Sequence, residues 1–337
     1  MGIQIVRNLH EGVWQRLVDE QQSGNIFHTP SMFQVFSKTK GHRPTLWAAV
    51  NGTGLPQALL LPVEITLLPG LLRRFSTRAV VYGSVLHTPG VEGEKALKTL
   101  LQAYGRQIES KPLFTELRNL SDLNRVQPIL EDRGFLYEDH LNYLVHLDRS
   151  PEAILQGMGR RTRKQIRRAL RQGKVRVQEI QRREELVPWY ELLRQTYASA
   201  QIPLADKTLF EAAFDVLRPK SMVKFLGAWI GSACVAGSAE LLYKDRIYGW
   251  YSAMDRAYAS YVPNELLMWH ILQWGAENGY RLYDFGGAGK PDKDYGVRDF
   301  KAKFGGQLVC FGRNTRVHAP RLLWLSQRAY ALWRWRL

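Results

Sequence analysis

Cysteine is nearly absent. Cys234 and Cys310 are the two in 337 residues, and neither stands in a metal-binding or redox spacing. Two isolated thiols exclude a disulfide framework and point to a reducing compartment. Acidic residues are also scarce: 31 Asp and Glu face 47 Lys and Arg, a formal charge of +16, and none follows Asp299. A field of that sign favours polyanions, whether nucleic acid, nucleotide-linked substrates or an anionic membrane face. No apolar run approaches the roughly 20 residues needed to cross a bilayer. The amino terminus, Met1-Gly2-Ile3-Gln4-Ile5-Val6-Arg7, lacks the basic head and apolar core of a signal peptide. A cytoplasmic protein is expected, peripheral on the inner face of the membrane where it meets lipid at all.

Several chemistries lack their signatures. The eight histidines are scattered without ligand spacing. No phosphate-binding Walker loop, no Gly-x-Gly-x-x-Gly opening a helix after a strand and no serine nucleophile elbow is present. No metal and no bound cofactor is therefore expected. Hydrophobic content of 45% and charged content of 23% are those of a folded chain. Its length fits two domains.

Periodicity predicts helices over 13–19 and 31–38, the second capped by Ser31, then strands over 45–50, 58–67 and 78–82. A helix over 93–110, a strand over 115–118, a helix over 123–133 and a strand over 143–147 complete this block. The order then begins again. A long helix from Glu152, a strand over 174–180 and helices over 186–200 and 208–217 lead into strands over 224–230, 233–242 and 246–252. A helix over 264–278 and a strand over 282–285 follow. The pattern predicts an α+β fold built twice, with domains over 1–149 and 150–316 and a basic amphipathic helix over 317–337.

Chemistry concentrates late in the chain. Tyr283-Asp284-Phe285-Gly286-Gly287 reads as a strand running into paired glycines, which let backbone approach a ligand closely. Lys301 and Lys303 follow, two apart. If extended they share one face, with Phe300, Ala302 and Phe304 on the other. Paired ammonium groups over a glycine-rich cleft suit an anionic substrate or a developing oxyanion; a solvated strand edge with packed phenylalanines is the plainer reading. Asp284 is placed to orient an amine or take a proton. Glu240, on a central strand, reads as a structural carboxylate.

Arg160, Arg161, Arg163, Lys164, Arg167, Arg168 and Arg171 crowd one helix, while Leu155, Met158, Thr162, Ile166, Ala169 and Leu170 recur at spacings of three and four. Like charges at i,i+4 repel by a few tenths of a kcal/mol per pair, roughly. Such a helix suits phosphate or RNA, although an ordinary solvated face has the same pattern. In the tail, Arg321, Arg328, Arg334 and Arg336 sit among Trp324, Leu325, Tyr330, Trp333 and Trp335. That composition fits a helix lying on an anionic membrane surface or one docked on its own domain.

The chain resembles the FemABX family of the acetyltransferase-like (GNAT) superfamily over residues 25–312. The resemblance rests on the arginine-rich helix 160–171, Gly249-Trp250-Tyr251-Ser252-Ala253, Pro263-Asn264-Glu265-Leu266-Leu267, Tyr283-Asp284-Phe285-Gly286-Gly287 and Phe300-Lys301-Ala302-Lys303-Phe304-Gly305. In the first half it rests on Phe33-Gln34-Val35-Phe36-Ser37-Lys38 and Tyr82-Gly83. It implies two tandem GNAT-like domains, with mixed, largely antiparallel sheets flanked by helices, around a cleft. It also implies transfer of an amino acid from aminoacyl-tRNA to an amine of a peptidoglycan precursor, lipid-linked (lipid II) or UDP-linked.

By the same resemblance, Lys38 contacts substrate diphosphate, and Lys301 serves tRNA-end binding and oxyanion stabilisation. Lys303 and Asp284 complete the catalytic group. Tyr251, Asn264, Gly286, Gly287 and Arg298 stand at substrate-binding positions. Two departures stand out: no segment is long enough for a helical-hairpin arm, and Ala198-Ser199-Ala200 stands where many relatives have an arginine after the position of Thr196.

An acetyl-CoA enzyme needs a glycine turn whose amides cradle pyrophosphate at a helix start. Residues 255–263 contain no glycine, which favours aminoacyl-tRNA as donor. Two alternatives stay open: an acyl-CoA- or acyl-carrier-dependent N-acyltransferase acting on an envelope sugar or lipid amine, and a non-catalytic RNA- or membrane-binding module.

Overall fold

The computed structural model describes residues 2–68, 70–108 and 112–334, without the side chains of 71 and 330–334. The chain divides into two compact units, Met1–Asp139 with Phe311–Leu337, and His140–Cys310.

The first unit contains β1 (Gln4–Val6), α1 (Glu11–Glu20), α2 (Pro30–Ser37), β2 (His42–Pro44), β3 (Trp47–Val50), β4 (Pro56–Leu60), β5 (Val63–Thr66), β6 (Thr77–Tyr82), β7 (Leu86–His87), α3 (Val91–Gln107), β8 (Phe114–Arg118), α4 (Gln127–Asp132) and β9 (Leu136–Glu138). The second contains β10 (Leu141–His146), α5 (Pro151–Gly157), α6 (Arg160–Gln172), β11 (Arg176–Glu179), α7 (Leu186–Ser199), α8 (Lys207–Leu217), β12 (Val223–Ile230), β13 (Ala233–Tyr243), β14 (Arg246–Met254), α9 (Pro263–Glu277), β15 (Leu282–Gly287), α10 (Gly296–Ala302) and β16 (Gln307–Cys310). The chain then returns to the first unit with β17 (Arg313–Val317) and α11 (Pro320–Arg334).

Among the described residues the strands form three sheets. The first unit has β1-β3-β4-β7 and β2-β5-β6-β8-β17-β9; the second has β11-β12-β13-β14-β15-β10-β16. Pairing is antiparallel except for β6 with β8 and β14 with β15. The architecture is thus α+β with mixed, largely antiparallel sheets. Helices cover the second sheet: Ile166 and Ala169 of α6 and Leu266, Leu267, Ile271 and Leu272 of α9 pack with Leu226, Ala236, Ile247, Tyr283 and Phe304 in one core. Each Leu, Ile or Phe side chain among them contributes about 1.5–3 kcal/mol on burial.

Several boundaries differ from those the sequence predicts. The division falls at 139/140 instead of 149/150, because β10 pairs with β15 and β16. Residues 311–316 belong with the first unit, because β17 lies between β8 and β9. The tail is not a separate body: α11 packs against the 3-10 turn Gly70–Phe75. The single strand expected over 58–67 is two, β4 and β5, which enter different sheets. The helix expected from Glu152 breaks between α5 and α6, where Met158 is extended and the Gly159 amide donates to the Lys303 carbonyl at 3.0 Å. Thr29, rather than Ser31, caps α2: its Oγ1 accepts from the Met32 amide at 3.1 Å, with Pro30 opening the helix. The expected end of the 93–110 helix lies outside the described residues.

Candidate active site

The parallel pair β14 and β15 is where the second sheet opens. Its register runs Arg246↔Leu282, Ile247↔Tyr283 and Tyr248↔Asp284 and stops there, although β14 continues to Met254 and β15 to Gly287. Gly249 stands where pairing ends, and a Cβ there would lie 2.7 Å from the Tyr283 hydroxyl. Past that point β14 presents Trp250 and Tyr251 and β15 presents the glycine turn. Gly286 has φ +69, a left-handed conformation that favours glycine.

Lys301 closes this turn. Its Nζ donates to the carbonyls of Phe285 at 2.7 Å, Gly287 at 2.7 Å and Gly286 at 3.3 Å. An ammonium has three N–H donors, so these carbonyls occupy all of them. The side chain is 7% exposed, and burial pushes its pKa down to about 8 despite the attraction of Asp284. Asp284 is buried as well. Its Oδ1 accepts from the Gly286 amide at 2.7 Å and from Asn142 Nδ2 at 3.4 Å. Burial raises its pKa, outweighing the Gly286 hydrogen bond and the Lys301 charge. Lys301, Asp284, Asn142, Gly286 and Gly287 form one polar knot at the end of β15.

Two expectations need correction here. Lys301 and Lys303 do not share a strand face. Residues 296–302 are helical, and about 100° per residue sets positions two apart on opposite sides. Lys303 points outward, 3.4 Å from Glu265 Oε1 and 5.2 Å from the Phe300 ring centroid. Nor does Lys301 present a free donor to a reacting oxygen, because the three carbonyls take its protons.

The other predicted residues are not part of this knot. Arg298 holds its own loop, with Nη1 donating to the Lys290 carbonyl at 3.0 Å and Nη2 to that of Lys293. Tyr251 packs among Phe210, Tyr197 and Trp250, with centroids 4.8 to 6.0 Å apart. Asn264 stands in the first turn of α9, shortly after Val262 at φ +49, with its Oδ1 buried and unpaired among the described residues. Lys38 is exposed at the end of α2, in the first unit. On α6, Arg163 donates to the Gln156 carbonyl at 2.8 Å and Arg167 pairs with Glu152 at 2.7 Å. Arg160, Arg161, Lys164 and Arg168 are exposed and without an acidic partner among the described residues.

Sequence reasoning missed Asn142, a buried amide between Leu141 and Tyr143 on β10; a polar residue inside an apolar strand was its signal. It also missed the contact of Glu240 with the Tyr283 hydroxyl at 2.9 Å, which burial accompanies by lifting Glu240 to about 7. A separate pocket of about 420 Å³, lined by Glu179, Arg218, Lys224, Trp274 and Tyr280 among others, includes none of the predicted residues. Among the described residues no cluster of His, Cys, Asp or Glu has the makings of a metal site. No helix of them is long and apolar enough to cross a membrane.

Residues 158–302, which include α6, the opened strand pair and Lys301, match the family described as an acetyltransferase (GNAT) domain. Over 95 residues the chain is 28% identical to the lipid II:glycine glycyltransferase of Staphylococcus haemolyticus (strain JCSC1435). That alignment spans 27% of this chain and 23% of the relative. A crystal structure of FemX superposes with a TM-score of 0.72 at 16% identity, over 96% of this chain and 99% of that one. A tandem GNAT protein from the clavulanic acid biosynthesis pathway gives 0.59 at 12% identity, over 94% and 99%. At those identities the structural likeness concerns the fold, which is that of tandem GNAT proteins. The likeness to FemABX-type acyltransferases of the GNAT superfamily that the sequence motifs carry is thereby borne out.

Proposed function

We propose that the chain is an aminoacyltransferase that moves an amino acid from aminoacyl-tRNA to an amine of a peptidoglycan precursor, lipid II or its UDP-linked counterpart, at the inner face of the membrane. The observation that carries this reading is the opened β14–β15 pair with its lysine-held glycine turn, lying inside the segment that matches an acyl-transfer domain. The acceptor class follows the relative, whose name specifies lipid II.

The donor reading rests on α6. The amide of Gly159, just before that helix, bonds to the carbonyl of Lys303, just after α10. The unpaired cations Arg160, Arg161, Lys164 and Arg168 therefore begin beside the helix that carries Lys301, and such a stripe suits an RNA backbone. The link from β14 into α9 supports tRNA over CoA. It runs through a 3-10 turn, Arg256–Tyr261, and the branched Val262, where a pyrophosphate cradle needs close-approach glycines. The domain family's description as an acetyltransferase favours the acyl-CoA reading in turn.

In the proposed reaction the acceptor amine attacks the acyl carbon, the C–N bond forms, the ester C–O bond breaks, and the leaving ribose oxygen takes the proton. Lys301 acts as a positioning residue that fixes the glycine turn and adds positive charge beneath it. Lys303 and Lys38 are assigned to phosphate, and Asp284 to holding the turn through the Gly286 amide. Mass spectrometry of stem peptides and envelope amines, with and without the protein, tests the function. A gain of one amino-acid residue on the stem peptide is expected. A different acyl mass on another amine would establish the CoA alternative, and no change on either would overturn both.

A further inference from the structure

The first unit carries an exposed apolar surface built from two segments far apart in sequence. One is the link between β5 and β6, where Leu67, Leu68 and Leu72 are 52%, 45% and 55% exposed and Arg73 and Arg74 are exposed beside them. The other is α11. Arg321, Trp324, Leu325 and Arg328 follow one another at helical spacing along its outer face, with Trp324 at 51% and Leu325 at 48% exposure. Arg328 lies 4.2 Å over the Trp324 ring. The segments are joined: Ser326 Oγ donates to the Phe75 carbonyl at 2.6 Å, and α11 packs on the Gly70–Phe75 turn.

Within these two segments the charge has one sign. No acidic residue lies between Glu64 and Glu92 or after Asp299. Leucines and a tryptophan ringed by arginines, with no carboxylate in either segment, match the interface of a bilayer rich in anionic lipid. The 15 residues of α11 extend about 22 Å, less than the roughly 30 Å hydrocarbon core, a length that suits a helix lying along an interface.

We infer that Leu67, Leu68 and Leu72 form with α11 one composite docking surface for an anionic bilayer, these three leucines inserting beside the helix. This extends the membrane reading of the C-terminal helix to a second element, and it places a lipid-linked acceptor and the enzyme on the same surface.

The test is flotation of the full-length protein with vesicles of phosphatidylcholine, alone or with phosphatidylglycerol. Binding is expected only with the anionic lipid. The triple variant L67S/L68S/L72S, with all its mutated side chains exposed, is expected to lower partitioning by about tenfold or more, and R73Q/R74Q by roughly fivefold per arginine. A W324S/L325S variant separates the two readings. If it loses binding while the link variants bind like the unaltered protein, the composite surface is refuted and the helix alone is the anchor. If the unaltered protein binds no vesicle, both readings fall, and a leucine-dependent dimer in light scattering would identify a second copy of the chain as the occupant.

Discussion

Lys301 Nζ lies 2.7 Å from the carbonyl oxygen of Gly287, so the lysine near the end of α10 secures the glycine turn that ends β15. Two more carbonyls of the same turn complete its coordination. A residue the sequence marks as a catalytic cation is, in the fold, the fastening of a glycine turn.

Removing that fastening should damage stability and turnover together. Lys301→Met takes the donor from the buried Phe285 carbonyl and from the half-buried carbonyls of Gly286 and Gly287, and a buried polar group left unpaired costs about 1–3 kcal/mol. A loss of about 2–4 kcal/mol in urea unfolding is expected, with transfer falling more than about a hundredfold. A fall in kcat with unchanged unfolding would instead mark Lys301 as a direct oxyanion donor.

Acidity should report the same group. Burial lowers Lys301 to about 8, so its charge is present below that pH and lost above it. If the charge supports the reaction, kcat/KM falls as pH rises through about 8. Lys301→Arg keeps its charge throughout and should flatten that limb, a difference a pH–rate profile resolves.

Glu240 offers a stability prediction of opposite sense to the usual carboxylate. Burial raises it to about 7, so between its unfolded value near 4.5 and 7 the folded state binds more protons and stability falls as pH rises. Glu240→Gln still offers an oxygen to the Tyr283 hydroxyl without the titration. It should be neutral at pH 4.5 and stabilising at pH 8 by on the order of 1–3 kcal/mol. Equal effects at both pH values would contradict this.

The cations of α6 should be read out by salt. A variant with Arg160→Gln, Lys164→Gln and Arg168→Gln should bind tRNA more weakly, and the slope of log K against log salt should shrink by about 2–3. An unchanged slope would place the RNA elsewhere.

Much of this is legible in the sequence, for identifiable reasons. The β12–β13–β14 meander and α9 carry strong apolar periodicity bounded by turns, and they formed where periodicity put them. The basic stripe of α6 was equally plain, because the residues that fix it lie within one helix. What was not legible depends on partners distant in sequence. Nothing local says that β10 leaves its neighbours to pair with β15, that β17 crosses back to β8, or that Asn142 meets Asp284. Lys301 and Lys303 show the limit most plainly. The stretch 300–304 alternates apolar and charged residues as a strand does, yet it forms the end of α10 and the turn after it, and its buried lysine finds carbonyls fourteen to sixteen residues earlier.

The most direct measurement is a purified transfer assay offering labelled aminoacyl-tRNA and acyl-CoA side by side, with lipid II in anionic vesicles and the UDP-linked precursor as acceptors. The account predicts label on the precursor amine from the tRNA alone, abolished by ribonuclease before the protein is added. Transfer from the CoA thioester that survives ribonuclease, or no transfer from tRNA to either precursor, would contradict it.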